Sequence, residues 1–135
     1  MGNTIWVKVE SDGDVSCDER DHSIMCSLDR KLDRIAREAG VTPISEFLDG
    51  SEMAAEFAED DMPLPEPQWY DPSTGIATID KLLAHLDGDP DLFTYADDPS
   101  RSHWRSYLLE ELNNCKALLS SAAESGARFH FAILM

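Results

Sequence analysis

Thr4-Ile5-Trp6-Val7-Lys8-Val9-Glu10 near the start of the chain and Arg128-Phe129-His130-Phe131-Ala132-Ile133-Leu134 at its end decide the fold. In the first, Ile5, Val7 and Val9 alternate with more polar neighbours. In the second, Phe129, Phe131 and Ile133 do the same, so each stretch predicts a strand buried on one face. A lone strand leaves its backbone N–H and C=O groups unpaired, and the economical solution is for the two to pair and to bury their apolar faces under helices. The expectation is an α+β fold: a small sheet pairing the N- and C-terminal strands, with four to five helices packed on one face. The same parity sets Trp6, Lys8, Arg128 and His130 together on the opposite face, which is aromatic and basic. That face either binds an anion or stacking ligand, or is covered by the Pro-rich arm that follows Asp60, with Trp6 as ordinary packing in a second core.

The residues between the strands supply the helices. Met25, Leu28, Leu32, Ile35, Ala36 and Ala39 recur at helical spacing, Gly40 is placed to end that helix in a left-handed conformation, and Asp33 and Arg37 on it stand one turn apart, as an ion pair requires. Thr42-Pro43 reads as a cap and first helical position for a short helix through Leu48, and Ser51 caps another through about Ala58. Three prolines within Pro63–Pro67 exclude helix, so residues 60–75 are a Pro-rich connector or arm. Asp71 to Gly75 is turn chemistry, after which Ile76, Ile79, Leu82, Leu83 and Leu86 mark a helix to Asp87-Gly88. Asp98-Pro99 repeats the cap-then-proline pattern ahead of Trp104, Leu108, Leu112, Cys115, Leu119 and Ala122, with Gly126 as the stop.

At 135 residues, with 42% hydrophobic and 28% charged residues, the chain fits one globular domain spanning 1–135. It opens with no signal-like segment, and no apolar run approaches the roughly 20 residues that span a bilayer, which predicts a cytoplasmic location. Three cysteines, Cys17, Cys26 and Cys115, without a disulfide-framework spacing fit free thiols in a reducing compartment.

Charge is distributed unevenly. From Glu38 to Ser100 the chain has 16 acids and one base, Lys81, so nearly all of the formal charge of −16 belongs to this central stretch. A concentrated negative field steers cationic partners and repels nucleic acid and anionic membrane. Aromatic residues lie among the carboxylates, and aromatic anchors inside a charged surface are a common construction of tight interfaces. The partner-binding candidates are Glu46, Asp49, Glu52, Glu56, Glu59, Asp60, Asp61, Trp69 and Tyr70. The competing reading makes the aromatics, Phe47, Phe57, Trp69, Tyr70, Phe93 and Tyr95, core residues, and the carboxylates a solubilising coat.

No motif identifies a reaction. Cys17, His22 and Cys26 are zinc-competent residue types, but their spacing is irregular and a fourth ligand is lacking. Asp87-Gly88-Asp89-Pro90-Asp91 with Asp98 imitates a calcium loop, yet Leu92 stands where glycine is needed for the sharp turn. Asp21-His22-Ser23 has the residue types of a hydrolase triad, but neighbours in sequence cannot form its chain of contacts. No cofactor is implied.

Trp6-Val7-Lys8-Val9-Glu10, Leu32-Asp33-Arg34-Ile35-Ala36, Ile44-Ser45-Glu46-Phe47, Trp69-Tyr70-Asp71 and Gly126-Ala127-Arg128-Phe129-His130-Phe131 together give a chain that resembles a group of small acidic bacterial cytosolic proteins of no established activity. In size and charge it also resembles immunity proteins that neutralise basic toxins, and chaperones of secreted effectors. The function expected is a non-catalytic acidic binding protein recognising a basic protein partner, with no nucleic-acid or membrane binding. The alternatives are a small metal-binding protein or metal-dependent enzyme, and a chaperone-like accessory protein that forms a homodimer through its sheet edge.

Overall fold

The computed structural model describes residues 4–18, 20–51 and 66–134. Strand β1 (Thr4–Ser11) lies between β2 (Asp14–Cys17) and β3 (Arg128–Leu134) in an antiparallel sheet. Its register with β3 sets Ile5 opposite Ile133, Val7 opposite Phe131 and Val9 opposite Phe129, so the apolar alternation of the two chain ends falls on one face. Trp6 opposite Ala132, Lys8 opposite His130 and Glu10 opposite Arg128 form the reverse face. The expected pairing of the terminal strands is the one observed.

Strand β2 lies in what the sequence presents as a polar link. All four of its residues are exposed, so no alternation announces it. The turn makes it: Asp12 and Gly13 both take positive φ, 53° and 86°, the two-residue geometry whose twist matches a hairpin, and Gly13 N–H donates to the Glu10 carboxylate.

Helices α1 (Ser23–Ser27), α2 (Asp29–Ala39), α3 (Pro72–Gly88) and α4 (Trp104–Glu124) and a 3₁₀ turn (Ile44–Phe47) complete the described structure. The helix expected from Met25 to Ala39 is broken at Leu28, whose φ of −102° and ψ of 11° leave the helical range, while Gly40 ends α2 with φ 78° as expected. Asp33 does not serve as an exposed ion-pair partner of Arg37; it is buried and accepts from Ser45 N–H, tying α2 to the 3₁₀ turn. The short helix expected after Thr42-Pro43 is only that turn, since Pro43 and Leu48 on either side are both extended. Helix α3 begins earlier than its apolar spacing suggests, because Asp71 accepts from Ser73 N–H and Pro72 fits the first turn. Helix α4 begins later, at Trp104, because the Asp98 carboxylate binds Ser100 and Arg101 and closes a turn of its own. Those contacts, with the Ser100 hydroxyl foremost and Arg101 next, hold the Asp98 carboxyl down at about 2. The expected helix from Ser51 to Ala58 lies almost wholly outside the described residues.

The core fills the space between the apolar sheet face and the helices, with Ile5, Val7, Phe129 and Phe131 meeting Met25, Leu32, Phe47, Leu82, Leu108, Leu112 and Leu119. Phe47 contacts Tyr70, Phe129 and Phe131 at ring-centroid distances of 5.6, 5.1 and 6.0 Å, which makes it a packing residue. Two polar side chains of α4 cap other helices across this core. Glu111 accepts from Ile24 N–H and Met25 N–H at 3.2 and 2.9 Å, supplying α1 with the N-terminal acceptor its own sequence lacks. Burial pushes the Glu111 carboxyl up despite these donors. Arg105 donates to the carbonyls of Leu86, Asp89 and Leu92 at 2.7 to 2.9 Å, closing the C-terminal end of α3 and fixing the loop that follows. Among the described residues no helix is long and apolar enough to cross a membrane.

Two tests follow from this packing. A Cβ at Gly75 would stand 2.7 Å from Phe129 Cζ and 2.8 Å from Leu119 Cδ1, whereas one at Gly88 meets nothing within 4 Å. Gly75→Ala is expected to cost about 1–3 kcal/mol in urea unfolding, with Gly88→Ala within about 1 kcal/mol of wild type. Glu111→Ala leaves two buried N–H groups without an acceptor and should cost about 2 kcal/mol or more, measured the same way; a neutral result would show that α1 does not depend on this cap.

Candidate functional site

Two sets of candidates from the sequence, Asp49 and Trp69 of the acidic stretch and His130 of the basic sheet face, converge in one cluster. Position is set by the backbone. Leu48 and Tyr70 both bridge to the outer edge of β3, at Phe131 and Phe129, through Asp49 N–H to Phe131 O at 2.8 Å and paired bonds between Tyr70 and Phe129. The chain between them therefore leaves and re-enters the sheet at adjacent points of one strand.

Asp49 closes the base of this excursion. Its carboxylate accepts from Gln68 N–H at 3.0 Å, and from the N–H and the hydroxyl of Ser51. It also faces His130 Nε2 at 3.8 Å, while His130 Nδ1 lies 2.8 Å from the Gln68 carbonyl and so carries a proton. Trp69 stacks on the imidazole with centroids 4.1 Å apart and planes 20° from parallel. Burial pushes the Asp49 carboxyl up, but the donors from Ser51 and Gln68 and the charge of His130 together outweigh it and hold the group below its ordinary value.

The reverse sheet face is thus covered largely by the chain itself. His130 and Lys8 are buried beneath it, at 4% and 8% exposure, and Trp6 is half-buried. Arg128 remains at the margin and donates through Nε and Nη2 to Glu10, whose carboxyl is lowered by the Gly13 N–H and then by Arg128. Of the two expectations for Trp6, Lys8, Arg128 and His130, internal packing describes His130 directly: its stacking partner is Trp69 and its polar contacts are Gln68 and Asp49. Beyond the cluster, a cleft of about 450 Å³ is lined by Trp69, Tyr70, Asp71, Ser73, Ala127 and Arg128, so both aromatic partner-binding candidates reach an accessible surface. Glu46 is exposed on the 3₁₀ turn. Glu52, Glu56, Glu59, Asp60 and Asp61 lie outside the described residues.

The weak metal candidates occupy three different environments. Cys17 is exposed on β2, Cys26 is half-buried on α1, and His22 is fully buried with Nδ1 at 3.1 Å from Ile5 O and Nε2 at 2.8 Å from Asn114 Oδ1. Burial, with the charges of Asp29 and Glu111, pushes the Cys26 thiol up and so disfavours the thiolate a metal needs. Among the described residues no three His, Cys, Asp or Glu side chains are grouped to hold a metal ion. All three cysteines are free thiols, and burial pushes that of Cys115 up strongly.

Covering of the reverse sheet face by the arm of residues 60–75 is one of the two expectations from sequence, and Gln68 and Trp69 of that arm lie on His130; which residues meet, and the part of Asp49, are not legible in sequence. Strand parity places His130 on the reverse face, but nothing in the order of residues says that Trp69 returns to stack on it. Compared with protein-family models, curated proteins and solved structures, the chain shows no match.

The sign of the Asp49 shift yields a test. A carboxyl whose folded-state value is depressed contributes stability above its ordinary value of 3.8, and that contribution is lost as pH falls through the lowered value. Asp49→Asn is therefore expected to flatten the stability profile below about pH 4. It should also speed amide exchange at Gln68 and Tyr70, measured by hydrogen exchange at neutral pH; unchanged exchange at both would show that Asp49 does not hold the base of the excursion.

Proposed function

We propose that this is a non-catalytic acidic binding protein that recognises a basic protein partner, in the manner of an immunity protein or inhibitor. One observation carries this reading. Among the described residues Glu46, Glu66, Asp87, Asp89, Asp91 and Asp97 are exposed and enter no ion pair, while four bases of the chain are engaged within the fold. Arg101 pairs with Asp98, Lys116 with Asp80 and Arg128 with Glu10, and Arg105 is bound to backbone carbonyls. Cations spent within the fold leave these six acids without an ion-pair partner, and an excess of surface charge of one sign accelerates encounter with a partner of the other.

Trp69 and Tyr70, at the cleft beside Asp71, supply the aromatic contact area that holds a complex once it has formed. The acids of the stretch between Ser51 and Glu66 belong to the same proposed surface by sequence: five carboxylates and no base. The resemblance to small acidic bacterial cytosolic proteins and to immunity proteins agrees with this reading in size and charge.

The test is capture from a lysate of the source cell, with elution by a salt gradient, using the wild type and a variant carrying Glu46→Gln, Glu66→Gln, Asp87→Asn, Asp89→Asn, Asp91→Asn and Asp97→Asn. The wild type is expected to retain a protein of high isoelectric point, and the association rate of the purified pair should fall steeply as added salt shortens the screening length from about 30 to 8 Å. The neutralised variant should lose about tenfold or more in association rate. An association rate indifferent to salt, or equal for the two chains, would refute the proposal.

A further inference from the structure

We infer that His130 is a proton-operated clamp: a second proton on its Nε2 joins Asp49 to Gln68 and Trp69 beside the outer edge of β3, and loss of that proton loosens these contacts together. The inference does not depend on the acidic-binder reading. It reaches the surface through Trp69, which stacks on the imidazole and also lines the cleft of about 450 Å³.

Three residues make a circuit with one side open. His130 Nδ1–H donates to the Gln68 carbonyl at 2.8 Å, and Gln68 N–H donates to the Asp49 carboxylate at 3.0 Å. The third side, from His130 Nε2 to Asp49 Oδ2, measures 3.8 Å and is too long for a hydrogen bond. In the neutral ring this side sets a lone pair toward a carboxylate, and neither group has a proton to share. A proton on Nε2 converts the opposition into a charge-assisted hydrogen bond of about 2.7–2.9 Å, which closes the circuit. The two side chains are 4% and 6% exposed, so little water screens the contact.

The other neighbours of the ring divide between the two protonation states. Trp69 lies on its face with centroids 4.1 Å apart and planes 20° from parallel, and a cation under an indole face is attracted by the ring quadrupole. The second proton therefore strengthens the stack along with the ion pair. Lys8, opposite His130 on β1, and burial itself both oppose the added charge. Arg128, two residues away on the same face of β3, is already paired with Glu10. Protonation thus acts on Asp49 and Trp69 in the same sense, and the clamp closes as pH falls and opens as pH rises.

The test is NMR of the full chain between about pH 8 and pH 5, the range in which an imidazole ordinarily titrates. The His130 Cε1–H, the Trp69 indole N–H and the Gln68 amide are expected to follow one transition with a common midpoint. In Asp49→Asn that midpoint should move to lower pH by about one unit, because the opposing charge is gone. In His130→Gln the transition should vanish from Trp69 and Gln68, while the exposed His85 and His103 continue to titrate. Should the buried glutamine prevent folding, the wild type and Asp49→Asn decide the question. Trp69 and Gln68 signals that stay flat through the His130 midpoint would overturn the inference. So would a His130 ring with no transition in this range, or a midpoint unmoved or raised in Asp49→Asn.

Discussion

The ladder between β1 and β3 closes the chain on itself, and the rest of the structure hangs from it. Its last side-chain link, Arg128 to Glu10, joins residues 118 positions apart. Closing so long a loop is entropically costly and is offset only when the apolar faces of both strands are buried. Phe129 and Phe131 are the largest side chains in that burial, beside Ile5 and Val7 of β1. Phe129 reaches the backbone of α3 so closely that only glycine fits at position 75, and Phe47 and Tyr70 pack on its other sides.

The same ladder commits the reverse face to an unusual solution. Lys8 and His130 stand opposite each other there, and burying such groups is costly unless they are partnered. The partners for His130 come from the acidic stretch: Asp49, the Gln68 carbonyl and the face of Trp69. An acidic residue that composition alone assigns to the surface thus becomes the keystone of a second, polar layer. Because Leu48 and Tyr70 also occupy the outer edge of β3, the excursion protects a strand edge that would otherwise be open to pairing with other chains.

Electrostatics then separates into two roles. Buried or half-buried charges such as Glu111, Arg105 and Asp33 act within the fold as caps and ties, each meeting backbone groups that regular structure leaves unsatisfied. Among the described residues the exposed carboxylates of Glu46, Glu66, Asp87, Asp89, Asp91 and Asp97 enter no ion pair and have no such role inside the fold. It is on these carboxylates that the proposed recognition of a basic partner rests, since an excess of one charge raises the rate of encounter with the opposite one.

Alternation of Ile5, Val7, Val9, Phe129, Phe131 and Ile133 was sufficient by itself to determine the pairing of the chain ends, the α+β class and the composition of both sheet faces, because side chains of a strand must alternate between faces. The apolar spacing of α2, α3 and α4 likewise identified those helices, and Gly40 and Gly126 their ends. Helix starts and the hairpin were decided elsewhere: β2 by two residues with positive φ, α1 by a carboxylate on α4, and the start of α4 by a turn closed around Asp98. The candidate site was legible only as two unrelated groups, acids and aromatics in the middle of the chain and bases at its ends. What joined Asp49, Trp69 and His130 was the return of the chain to the free edge of β3, a contact between residues distant in sequence that leaves no periodic trace, since periodicity records which face a residue occupies and not what covers that face.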